Sequence, residues 1–139
     1  MRLALALLSL LFASACAQVT TPRLGSPERT AIMDSLRVPL EKELKQRLQF
    51  RIEALRQSGA WAFMKALPLR QDGRSVNYGK TPYAQAARRR SFTGEVCALF
   101  QKSGKKWKVV KYLLGEPAAA HGRWWKTYGA PKAIFELGK

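Results

Sequence analysis

The stretch LEKELKQRLQFRIEAL, residues 40–55, changes its apolar period midway, and that change decides the fold. Upstream, Ile32, Leu36, Leu40 and Leu44 recur every four residues with Met33 beside them, which lines one face of an α-helix. Downstream, Leu48, Phe50, Ile52 and Ala54 alternate with Arg47, Gln49, Arg51 and Glu53, the mark of a strand with one wet face. A helix that hands the chain straight to a sheet is thereby expected.

Working outward, Ser26 is placed to cap the helix, Pro27 suits its first position, and Glu28 favours the positive end of its dipole. Pro39 is expected to break or kink it after Leu36 and to start a second short turn with Glu41 and Glu43 in front. Past the first strand, Ser58 and Gly59 turn the chain. Residues 60–69 then return as a strand on which Trp61 and Phe63 share a face and Pro68 sits near the end. Residues 70–91 read as a long loop, which is either functional or holds a short element. Residues 93–102 and 106–115 form a second hairpin. Val96, Ala98 and Phe100 face one way in its first arm, and either Val110, Tyr112 and Leu114 or Trp107, Val109 and Leu113 face inward from its second. Residues 117–128 suit a short helix stopped at Gly129, and residues 130–135 dock back on the core. The fold class is α+β: an N-terminal helix packed on a curved four-stranded antiparallel sheet, with a short C-terminal helical segment.

The chain has 139 residues, enough for one core-bearing domain. Its first 17 residues read as a secretory signal: Arg2, an apolar run from Leu3 to Phe12 broken only by Ser9, then small residues. The run is too short to span a bilayer, which takes roughly 20 residues. Ala15 and Ala17 suit leader-peptidase cleavage before Gln18, while Ala15 ahead of Cys16 resembles a lipoprotein box. Residues 18–25 then form a flexible tether and residues 26–139 the domain. An exported chain, periplasmic or secreted, or lipidated through Cys16, is the expectation. Cys97 is the one thiol left to the domain, so no internal disulfide is available, and its apolar neighbours suggest a buried filler.

The segments Gly59-Ala60-Trp61-Ala62-Phe63, Gly104-Lys105-Lys106-Trp107-Lys108-Val109-Val110 and the close from Trp125 to Phe135 resemble a group of small exported bacterial proteins of uncharacterised function. The layout is similar to the cystatin and nuclear-transport-factor-2 folds. The resemblance implies that helix-on-sheet layout and brings no activity and no site residues.

Charge is the strongest functional signal. Lys and Arg number 25 against 9 Asp and Glu, a formal net charge of +16 at pH 7 to which Arg2 contributes one. Such an excess attracts acidic partners over a range that salt shortens. The candidates for holding a polyanion are Arg47, Arg51, Arg88, Arg89, Arg90, Lys106, Lys108, Arg123, Trp124 and Lys126, the outward lysines and arginines forming a basic sheet face and the indole a stacking platform. An acidic envelope polymer or an acidic protein is the expected partner. Nucleic acid fits an exported chain poorly, and no nucleic-acid-binding signature accompanies the charges.

Metal-binding, phosphate-loop and nucleophile-elbow motifs do not occur in the sequence, and no cofactor or metal is expected. His121 is the one acid–base candidate, within reach of Glu116 or Glu95 if the sheet end brings them together. The alternative to a binding protein is a pocket-bearing domain that binds or converts a small molecule between helix and sheet.

Overall fold

The computed structural model describes residues 18–136. The leader and the Cys16 lipoprotein box lie outside them. Helix α1 (Pro27–Leu44) starts as its sequence dictates: Ser26 is extended, its Oγ accepts from the Arg29 amide at 3.2 Å, and Pro27 occupies the first turn. It does not break at Pro39. The proline removes one hydrogen bond and crowds the preceding turn, a cost of about 3 kcal/mol. Leu40 and Leu44, beyond it, are both buried against the sheet, and each contributes about 1.5–3 kcal/mol. Burial outweighs the defect, and the helix runs through to a left-handed cap at Lys45.

Strands β1 (Leu48–Ser58), β2 (Trp61–Arg70), β3 (Val96–Ser103) and β4 (Lys106–Leu114) follow as two hairpins in one antiparallel sheet of order β1-β2-β3-β4. Each edge strand carries an irregularity that alternation cannot foresee. In β1 the register shifts between Ile52 and Ala54, so Leu55 turns toward α1 and Ala54 away from it. In β4 the pairing steps from Lys111 to Val109 across Leu99 and Phe100, leaving Val110 unpaired. Neither of the two expected inward sets for β4 is therefore intact. Trp107 and Val109 face α1 before the step, and Tyr112 and Leu114 face it afterwards.

Both sides of the sheet are covered. On one, Ile32, Leu36, Leu40 and Leu44 pack on Leu55, Met64, Val96 and Phe100. On the other, the C-terminal segment lays Trp124, Ala130 and Ile134 over Phe63, Cys97 and Leu99. That segment is not one helix from residue 117. It comprises a 3-10 turn (Ala118–His121), helix α2 (Trp124–Tyr128) ended by Gly129 at φ 73°, and a second 3-10 turn (Lys132–Phe135). The long loop holds a 3-10 turn at Ala86–Arg88 and is anchored by Val76, Tyr78, Tyr83 and Phe92 on the α1 side.

Within residues 18–25, expected as a flexible tether, Val19 and Thr20 are instead attached to the fold. Thr20 exchanges both backbone hydrogen bonds with Gln57 at the edge of β1, at 2.8 and 2.7 Å, and Val19 packs on the C-terminal cluster.

Candidate binding surface

The acids of this chain are largely spent inside the fold. Glu28 pairs with Lys102, Asp34 with Arg37, Glu53 and Glu95 with Lys65, and Asp72 with Arg70 and Arg74. Glu41 accepts from the Leu48 amide and Glu43 from the Tyr112 hydroxyl. Among the described residues only Glu116 and Glu136 stand outside these contacts, and both are exposed. The cations are left over. Arg47, Arg51, Arg88, Arg89, Arg90, Lys106, Lys108, Arg123 and Lys126 are all exposed, and among the described residues none makes an ion pair.

They do not form one patch. Arg51 aligns with Leu67 on β2, whereas Lys108 aligns with Gln101 and, through it, Trp61. The two strands are opposite edges of the sheet, so these cations stand about 14 Å apart across it and about 20 Å along it. Arg88 to Arg90 belong to the loop whose aromatics pack on the α1 side. Lys106 and Lys108, alternating with Trp107 and Val109, project from the other side. There α2 covers a cluster to which Val110 and Leu113 contribute, with Lys111 between them in sequence. Of the sequence candidates, Lys106 and Lys108 thus share a side of the sheet with Arg123 and Lys126 at α2, and Lys111 lies on that side as well.

Trp124 corrects the stacking expectation. It is only 6% exposed, with Phe63 and Tyr128 edge-on to its ring at 6.5 Å, and it anchors α2 to the sheet. Trp125 is the half-buried one of the pair, and the Lys132 ammonium lies 5.1 Å from its ring centroid.

His121 does not meet Glu116 or Glu95 in a hydrogen bond or ion pair. Its ring sits 4.9 Å from that of Phe63 and 6.3 Å from that of Phe135, and its buried Nδ1 has no hydrogen-bond partner. Burial lowers its pKa, opposed in part by its own backbone and assisted by the positive charge of Lys65, so the imidazole is held neutral. On the same face, Cys97 is 7% exposed, and burial pushes its thiol up to about 11 against a partial pull from Lys65. A protonated buried thiol is a poor nucleophile. Lys65 itself is held charged: burial opposes this, but Glu53 and Glu95 outweigh it and raise its pKa. Among the described residues, no three or more of His, Cys, Asp and Glu are grouped to hold a metal ion.

Among the clefts on the described residues, one lies between α1 and β4 and one along the edge of β1, and alternation gave no sign of either. The first, of about 390 Å³, is lined by Glu43, Tyr83 and Val109 to Tyr112. Burial and Glu43 push the Tyr112 hydroxyl up to about 12, and they raise that of Tyr83 as well. Both phenols stay protonated, and Tyr112 donates to the carboxylate. The second, also of about 390 Å³, is lined by Thr21, Arg29 and Ile52 to Arg56.

Comparison with protein-family models, curated proteins and solved structures finds no match to this chain. No helix among the described residues is long and apolar enough to cross a membrane.

Proposed function

We propose that this is an exported, non-enzymatic protein of the cell envelope that binds an acidic polymer or an acidic partner protein through the basic surface of β4 and α2. One observation carries the reading: all the acids but Glu116 and Glu136 are engaged within the chain, while Lys106, Lys108, Arg123 and Lys126 are exposed and make no ion pair among the described residues. Cations that stabilise nothing within the fold are available to a ligand, and a polyanion gains by shedding its counterions onto them. The inert Cys97 and the neutral, cluster-packed His121 further support binding rather than turnover.

The test is retention of the chain on purified cell-envelope fractions across about 50 to 500 mM salt, a range over which screening becomes strong. Retention is expected to fall steeply with salt and to weaken in the Lys106→Glu, Lys108→Glu double variant, with a salt slope shallower by about one per cation removed. Retention indifferent to salt and to both substitutions would refute the reading.

A second reading, a small-molecule-binding domain of nuclear-transport-factor-2 type, is favoured by the α1–β4 cleft with Glu43 between Tyr83 and Tyr112. It predicts a ligand-induced rise in melting temperature that Glu43→Gln abolishes.

A further inference from the structure

β1 ends the sheet, and among the described residues only Thr20 pairs with its open side, at Gln57. Gln57 turns both its amide and its carbonyl outward to Thr20. The alternation of an antiparallel ladder turns those of Leu55 outward as well. The N-terminal segment begins a fifth strand there and abandons it after one pair. Pro22 has no amide hydrogen with which to continue, and its carbonyl is taken by Arg29 Nη1 at 3.0 Å. What remains is an open cleft of about 390 Å³ between Thr21, Arg29 and the edge from Ile52 to Arg56.

The charges around that gap lack counterparts. Arg56 Nε is buried without an acceptor, and neither Arg29 nor Arg56 makes an ion pair among the described residues. The acid in the lining, Glu53, is engaged by Lys65. The two guanidiniums flank the edge from opposite sides: Arg29 stands on α1, while Arg56 pairs with Phe63 and shares its face away from α1. Neighbouring residues of an added strand also point to opposite faces.

We propose that the open edge of β1 between Ile52 and Arg56 takes an acidic extended peptide as an added strand, with adjacent carboxylates held by Arg29 and Arg56. Main-chain pairing supplies affinity and the two arginines supply selectivity for acid. A second copy of this chain is the poorer occupant, because edge-to-edge pairing brings the exposed Arg51 and the unpaired Arg29 and Arg56 of one edge up to the same cations of the other. Inorganic phosphate answers the arginines but offers nothing to the outward amide and carbonyl of Leu55. The register shift at Glu53 keeps the added strand short. This site lies on the opposite edge from Lys106 and Lys108 and does not depend on their role.

The experiment is fluorescence anisotropy of the full chain with a labelled eight-residue peptide carrying two adjacent glutamates flanked by valines. Saturable binding is expected, weakened about tenfold or more by N-methylation of alternate peptide amides, a loss typical of missing main-chain hydrogen bonds. Arg29→Gln and Arg56→Gln are each expected to weaken it about tenfold, whereas Lys106→Glu with Lys108→Glu leaves it unchanged. Equal affinity for the N-methylated peptide would overturn the added strand, as would displacement by phosphate at the same concentration as by unlabelled peptide, or a dimer in sedimentation that the peptide does not dissociate. If Arg56→Gln fails to fold, the N-methylated comparison on the unaltered chain still decides.

Discussion

Gly115→Ala probes how the long loop closes over the sheet. Gly115 follows β4 at φ +78°, and a Cβ there would fall well inside contact distance of Phe92 Cε2 and Cδ2. Neither partner is free to retreat. The Gly115 carbonyl accepts from Thr93 at 3.2 Å, its amide donates to Glu95 at 2.7 Å, and the Phe92 ring packs edge-on to Tyr78 at 5.0 Å. The left-handed backbone costs an alanine about 1–2 kcal/mol, and forcing a methyl into a filled site adds about 1–3 kcal/mol. The total is about 2–5 kcal/mol. Gly129 supplies the control: φ is +73°, nothing lies within 4 Å of its Cβ position, and an alanine meets only the backbone cost. At about 4 °C per kcal/mol for a domain of this size, thermal unfolding by circular dichroism should place Gly129→Ala about 4–8 °C below the parent and Gly115→Ala about 8–20 °C below it. In a double-mutant cycle, Phe92→Ala should relieve part of the Gly115→Ala loss, a non-additivity expected of groups in contact. Equal losses at the two glycines, or strict additivity with Phe92→Ala, would show that Phe92 does not sit on Gly115.

Three further outcomes follow from the same geometry. His121 is neutral in the folded state with its pKa lowered by burial, so the unfolded chain binds the proton first as pH falls: stability should decline below about pH 6.5, by up to about 1.4 kcal/mol per unit, and level off under the folded pKa. Denaturant titrations between pH 7 and 5 measure this, and His121→Phe should flatten the slope. Tyr112→Phe removes a donor from Glu43 and should cost about 1–2 kcal/mol in urea unfolding, with no loss if water replaces the hydroxyl freely. Lys45→Gly relieves a non-glycine residue at φ 53° in the C-cap of α1 and should stabilise the chain by up to about 1 kcal/mol, read as a higher melting temperature.

Much of the fold was legible because its signals are local. Ser26-Pro27-Glu28 with a four-residue stripe specified α1, and alternation specified β1 as far as Ile52. The failures came where a distant contact overrode a local rule. Pro39 looked like a break because the sequence does not display the sheet that Leu40 and Leu44 press against. The steps at Glu53 and Val110 have no signature of their own, since an extra residue in one strand is defined only by the strand beside it. The charges of the candidate surface were plain in the composition, but their grouping was not. Arg51 and Lys108 share an outward pattern and still end at opposite corners, a fact of strand order. Trp124 and Trp125 read alike as neighbours, and only the packing of α2 on Phe63 and Leu99 buries one of them.

Cys97 lies in the cluster that Trp124, Ala130 and Ile134 close, and it is the free cysteine of the described residues. Its burial makes it a reporter of excursions from the native state. A thiol reagent reaches it when the C-terminal arm lifts or the whole domain opens, and the ratio of its reaction rate to that of an unfolded thiol gives the equilibrium constant for that event. Comparison with the global unfolding constant then separates a loosely hinged arm from one that departs only with everything else.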